Sequence, residues 1–323
     1  MHRNDNAYAE VMVVVLADDA AADAFRASFL QPFDLDGGVL YRLAVAVTPD
    51  ATRLYYDFHH IVFDGTFFGI LLRDVSAAYD GSALQPEQWS GYEVAQEEEL
   101  HRQKPIYQRA RDFYQTTFGG LEVESLPIPD ALDAPGEGQG ELVVDFHLSA
   151  RDLEAFAARC HTTANVVATA AFALAVGAYA NADEALFATI YNGRGDGRVA
   201  RTISMLVKTL PVYATWTTDT TPEQLFATLQ EQLLASMAYD LYSFAEVSAT
   251  TGITSDLLFS YQGNTDLGDE LCGSKPVSEP FALDETGNPL TALLWPEFPR
   301  VHRYARPFRR LSAHHEPAGR LYR

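Results

Sequence analysis

Residues 53–65 read RLYYDFHHIVFDG, and the fold turns on them. Leu54, Tyr55, Tyr56 and Phe58 give the stretch the composition of a half-buried strand. A second apolar run, VLYRLAVAV at 39–47, lies just before it, and TPDA separates the two. Pro49 is preset for a turn, so 39–60 predicts a β-hairpin. The hairpin runs into His59 and His60, two of the chain's nine histidines. Neighbouring strand side chains point to opposite faces, so only one of the pair enters a given cleft. No cysteine or third histidine stands at ligand spacing, and no metal site is expected. A histidine at a strand end, followed by Asp64 in a turn and Gly65, suits acid–base work: the carboxylate can fix the loop or orient the ring, and the glycine lets backbone approach closely. The competing reading of such a pair is plain packing.

Outward from this stretch, helical and strand patterns alternate. EVMVVVL at 10–16 predicts a short buried strand. Asp18 and Asp19 cap a helix to Leu30, and Pro32 stops it. From Thr66 the apolar period becomes helical until Asp80-Gly81. A second helix is expected over 92–116. Residues 121–140 are rich in proline and glycine and lack periodicity, the mark of a linker. Beyond them come a strand at 141–148, a helix from Ser149 to about Cys160, and an Ala-rich helix after Thr163 that has to be buried. A strand at 185–192, the loop GRGDGRVAR, strands near 205–214, a helix at 222–238 and a strand at 256–262 complete the pattern. The class is α/β. The expected division is 1–120, a linker at 121–140, 141–295, and an Arg-rich tail at 296–323 that predicts disorder.

Of the 323 residues, 47% are hydrophobic and 21% charged, which excludes whole-chain disorder, collagen and coiled coil. No apolar run approaches the ~20 residues of a membrane helix, and the start MHRNDNAYAE lacks the apolar centre of a signal peptide. Membrane association is not expected, and a cytoplasmic location is. Cys160 and Cys272 are too few for a disulfide framework and read as inert thiols. The formal charge is −21. Seven arginines and one glutamate after residue 299 give +6, which leaves −27 on the rest. A body that acidic repels phosphate, so nucleic-acid binding is not expected.

HHIVFDG resembles the HHxxxDG motif of the condensation domains of nonribosomal peptide synthetases, which share the chloramphenicol-acetyltransferase-like fold. PFDLDGGVLYRLAV (32–45) is similar to the family's segment ahead of the motif, and FFGILLRDVSAAYDG (67–81) to the helix after it. YNGRGDGRVARTISMLVKTLPVY (191–213) resembles the family's NGR segment and following strand, and DLLFSYQGN (256–264) a further block. The blocks keep the family's order.

The resemblance implies a two-lobed sandwich. It also implies a reaction in which an acceptor amine attacks a donor acyl thioester to form a peptide bond. Both substrates would arrive on phosphopantetheine arms of peptidyl carrier proteins, with adenylation domains or other synthetase modules as further partners and no bound cofactor. By position, His60 would be the catalytic histidine, His59 an inward support, Asp64 a structural anchor paired with an arginine, and Gly65 the lining of a narrow passage. Arg194 or Arg198 would supply that arginine from the second lobe, or a family motif placed ahead of this chain's start would. Tyr261 and Gln262 would line the acceptor side, unless they are ordinary strand-end packing. Arg194-Gly195-Asp196 also spells an adhesion tripeptide, read here as a polar loop, and Lys208 reads as an edge lysine. Two earlier family motifs are missing ahead of PFDL, and the text after PLTALLW departs from the family. These departures predict an incomplete first lobe, and a chain that associates and condenses poorly by itself. The alternatives are an epimerization domain or free-standing acyltransferase of the same fold, or a non-catalytic remnant that only docks a carrier protein.

Overall fold

A computed structural model describes residues 10–123, 148–262, Cys272 and the backbone of 290–294. The strand expected at 141–148, most of the 121–140 linker and the 296–323 tail lie outside the described residues. The chain forms two compact units. The first comprises the chain up to Glu97 together with Arg194–Leu206; the second comprises Glu98–Gly193 and the chain from Val207.

The first unit contains β1 (Met12–Val15), α1 (Asp19–Phe29), β2 (Tyr41–Val47), β3 (Thr52–Phe58) and α2 (Gly65–Tyr79). β1 pairs parallel with β2, a connection that needs a crossover, and α1 is that crossover. Asp18 caps α1 by accepting from Ala21 N. β2 and β3 form the expected antiparallel hairpin, Tyr41 opposite Phe58 and Val47 opposite Thr52. Thr48 closes its turn, its N–H donating to the Ala51 carbonyl at 2.9 Å. Ala44 and Ala46 are fully buried, and Phe25, Phe29 and Tyr55 pack ring against ring nearby. The expectation for 10–16 needs correction. Val13 and Val15 are 69% and 83% exposed, because β1 is the edge of its sheet and no described element covers it.

The second unit is built on a four-stranded sheet in the order β5-β4-β6-β7. Its strands are β4 (Glu184–Tyr191), β5 (Lys208–Thr215), β6 (Leu257–Tyr261) and β7 (Leu290–Leu294). β4 and β5 are antiparallel, and β6 and β7 run parallel to β4. Helices α5 (Ala150–Arg159), α6 (Ala164–Ala180) and α7 (Pro222–Ala238) accompany the sheet. Ala170 and Ala173 of α6, Phe187, Val212, Leu229 and Phe259 share one core. The expectation of a wholly buried α6 needs correction: one face enters this core, while Leu174 on another is 43% exposed. A Thr221–Gln224 capping box starts α7.

Residues 92–116 are not one helix. They divide into α3 (Gly91–Arg102) and α4 (Pro105–Phe118). Pro105 forces Lys104 into extended backbone, φ −97° and ψ 156°, and starts a new helix at its first position. Ala110, Tyr114 and Phe118 of α4 then pack with Leu186, Tyr242 and Val247. This is why α4 joins the second unit and the boundary falls within α3, not near residue 120. One further helix, α8 (Phe244–Thr251), is not among the sequence expectations. Among the described residues, no single helix is long and apolar enough to cross a membrane.

Candidate functional site

β3 stops at Phe58, so His59 and His60 lie just past the strand, in a turn, and strand alternation does not govern them. His59 N still donates to the Leu40 carbonyl, at 2.9 Å, the last tie to the hairpin. Val62 N then donates to the His59 carbonyl at 3.0 Å, which closes the turn. The His59 ring is half-buried. Its Nδ1 accepts from Ile61 N at 3.2 Å, and its edge meets Phe33. The Arg42 guanidinium covers Phe33, 4.1 Å from the ring centroid, and reaches Asp57 at 3.5 Å. Burial pushes the Asp57 carboxyl up, and the charges of Arg42 and His59 pull against it.

His60 is exposed. Its ring stacks on Phe63 at 4.9 Å and 25°, and Phe63 packs on Phe58 and Phe67. Among the described residues none hydrogen-bonds to the His60 ring. Both of its nitrogens therefore remain available to an incoming group.

Asp64 points the other way and is 0% exposed. Its Oδ1 accepts from Phe67 N at 3.0 Å, capping α2. Its Oδ2 accepts from Arg194 Nη1 at 2.8 Å and from Leu206 N at 3.0 Å. The Arg194 side chain is only 5% exposed, and its Nη2 donates to the Thr202 carbonyl at 3.0 Å. A carboxylate with these three donors cannot reach a substrate. It ties the start of α2, and the turn before it, to a segment far along the chain. Gly65 follows, exposed, with no atom within 4 Å of where a Cβ would stand.

The remaining candidates divide. Of the two arginines, Arg194 is the one on Asp64. Arg198 pairs with Asp196 and lies 3.9 Å from the Trp89 ring centroid. With Arg194 buried, the Arg-Gly-Asp tripeptide is not presented to a partner. Tyr261 and Gln262 belong to the other compact unit. Burial, with Glu154 nearby, pushes the Tyr261 phenol up, and Gln262 Nε2 donates to Ser260 Oγ at 2.8 Å. Lys208 pairs with Glu98. Asp74, Glu87, Trp89 and Gly91, which touch the Arg194–Leu206 segment, escape a reading of the sequence. The one available signal is Trp89, a lone large aromatic in the polar stretch PEQWSG.

The Condensation domain family model matches residues 2–267. Tyrocidine synthase 2 of Brevibacillus parabrevis is 27% identical over 254 residues, 76% of this chain and 7% of that protein. Surfactin synthase subunit 1 of Bacillus subtilis (strain 168) is 27% identical over 201 residues, 60% of this chain and 6% of that protein. The chain thus spans less than a tenth of either relative. The condensation domain from Monacolin K polyketide synthase MokA superposes with a TM-score of 0.63 at 14% identity, covering 80% of this chain and 65% of that one. That likeness establishes the α/β fold expected from the motif. The family match runs through both compact units and reaches well beyond the seven residues of HHIVFDG, and on that breadth the chain belongs to the condensation-domain family.

Proposed function

We propose that this chain carries out amide-forming condensation between an acceptor amine and a donor acyl thioester in nonribosomal peptide synthesis. Both substrates would be held on phosphopantetheine arms of peptidyl carrier proteins, within a synthetase that also contains adenylation domains. One observation carries the reading. The turn presents a single imidazole, His60, to the outside, while the other polar side chains of the motif, His59 and Asp64, are engaged in holding that turn.

The acceptor nitrogen attacks the donor carbonyl, a C–N bond forms, and the C–S bond breaks. His60 either takes the proton from the amine and returns it to the departing sulfur, or holds the amine in line for attack. Negative charge gathers on the carbonyl oxygen as the tetrahedral centre forms. The first N–H groups of α2 have no partner within the helix. That of Gly65, an exposed residue at the start of α2, suits the role of donor to this oxygen. His59, with its ring turned inward to Ile61 N and Phe33, supports the turn. Asp64 and Arg194 fix it from below.

The test is His60→Ala within a synthetase module that contains this chain, with dipeptide release followed by mass spectrometry. A positioned base contributes ~10²–10⁴-fold, and a loss of that order is expected. His59→Ala is expected to act mainly on melting temperature. Undiminished product from His60→Ala would sink the assignment.

A further inference from the structure

The Arg194–Leu206 segment is held at more points than its grip on Asp64 requires. Arg201 Nη2 meets Asp74 Oδ1 at 2.6 Å, ten residues along α2 from Asp64. Thr202 Oγ1 donates to the Trp89 carbonyl at 2.5 Å, and Ile203 N to Glu87 Oε1 at 2.7 Å. The Arg198 guanidinium covers the Trp89 ring. A Cβ on Gly91 would collide with Ser204 Oγ and stand 2.8 Å from Ser204 Cβ. A side chain at 91 would therefore push Ser204 away. The segment is a strap lying between α2 on one side and residues 87–91 on the other.

We infer that Asp74, Glu87, Trp89 and Gly91 are positioning residues for the His60 turn. They seat the strap, and the seated strap delivers Arg194 and the Leu206 N–H to Asp64. The coupling follows from the burial of that carboxylate. Two of its three donors come from the strap. If the strap lifts, Asp64 is left charged and underpaired, a state costly enough to drive it toward water. Moving Asp64 takes the cap off Phe67 N and loosens the residues between it and His60. None of the four positioning residues need touch a substrate.

The inference deepens the condensation reading and rests on it only for the kinetic measurement. The experiment is hydrogen–deuterium exchange on the full chain, read in peptides covering 59–67 and 194–206. Arg201→Gln and Gly91→Ala are expected to raise exchange in both peptides by about tenfold, through more frequent local opening. The exchange of charges, Asp74→Arg with Arg201→Asp, should return both peptides toward the wild-type rate. Arg201 is partly exposed, so its variant keeps the test open if Gly91→Ala fails to fold. In the condensation assay, Arg201→Gln should lower kcat about 10-fold or more while KM stays unchanged, the mark of lost positioning. Faster exchange confined to 194–206, no change in either peptide, or faster exchange with an unaltered kcat would each overturn the inference. A wild-type protein that makes no amide, yet shows the coupled exchange, would count against the condensation reading and leave the coupling standing.

Discussion

Asp64 and Phe187 are both 0% exposed, one in each compact unit, yet their surroundings share almost nothing. Around Phe187 lie Phe172, Phe259, Val212 and Leu229, apolar groups that attract weakly and in any orientation. Around Asp64 stand three N–H donors at fixed directions. An apolar core yields by degrees, since neighbours relax partway into a cavity. A buried carboxylate yields at once, because no relaxed arrangement replaces a missing cation. The first kind of interior builds a frame. The second holds one turn in one place.

The sharpest way to break this contrast is Arg194→Ala. It should cost about 3–5 kcal/mol in urea unfolding, since it strands a buried charge. Removing both charges tests the cause. Asp64→Asn keeps a side-chain oxygen that can cap Phe67 N, and combined with Arg194→Met it should recover about 1–4 kcal/mol of that loss. If the double variant is no better than Arg194→Ala, charge is not what makes the site brittle. Leu229→Ala probes the other side of the comparison and should cost about 2–5 kcal/mol.

A smaller effect comes from the polar edge of the second unit. The Tyr107 phenol is pushed up to about 12, first by burial and then by its hydrogen bond to Glu246 and that group's charge. Its value in the unfolded chain is about 10. Folding therefore favours the neutral phenol. That contribution is complete below pH 10 and is lost as pH rises from 10 through about 12. Urea midpoints should fall across this window, and Tyr107→Phe should remove that part of the slope. The smallest effect is expected from Arg198→Ala. Its ion pair with Asp196 is exposed to water and contributes little, so the melting temperature should fall only slightly, through the lost contact with the Trp89 ring.

The hairpin is legible because alternation and a Pro49 turn are local signals. The cap at Asp64 is not among the sequence expectations, although an Asp just ahead of a helical period is a local signal too. The exposure of β1 is not legible, since MVVV looks the same whether or not a neighbour covers it. The division at Pro105 is readable in principle, from the restriction proline places on Lys104, but the helical pattern on either side masks it. The short α8 carries a Ser243–Glu246 capping box and a Gly252 stop in left-handed backbone, φ +84°, too few residues for periodicity to register. Arg194 and Arg198 are equal candidates from sequence. Which of them reaches Asp64 depends on contacts with Trp89 and Thr202 that no local pattern encodes. The clamp at Gly91 is of the same kind: a glycine explained only by the residue that faces it 113 positions later.

The ion pair beneath the motif also sets an order of events at the ribosome. Asp64 emerges 130 residues before Arg194. At ~5–20 residues per second, the carboxylate waits on the order of ten seconds for its cation. During that interval the hairpin and α2 exist without the segment that completes their unit, and β5, whose first residue lies just past the strap, has not yet been made. The nascent motif must therefore stay hydrated until the chain returns. Its last folding step is the arrival of a distant strap, not the closing of its own turn.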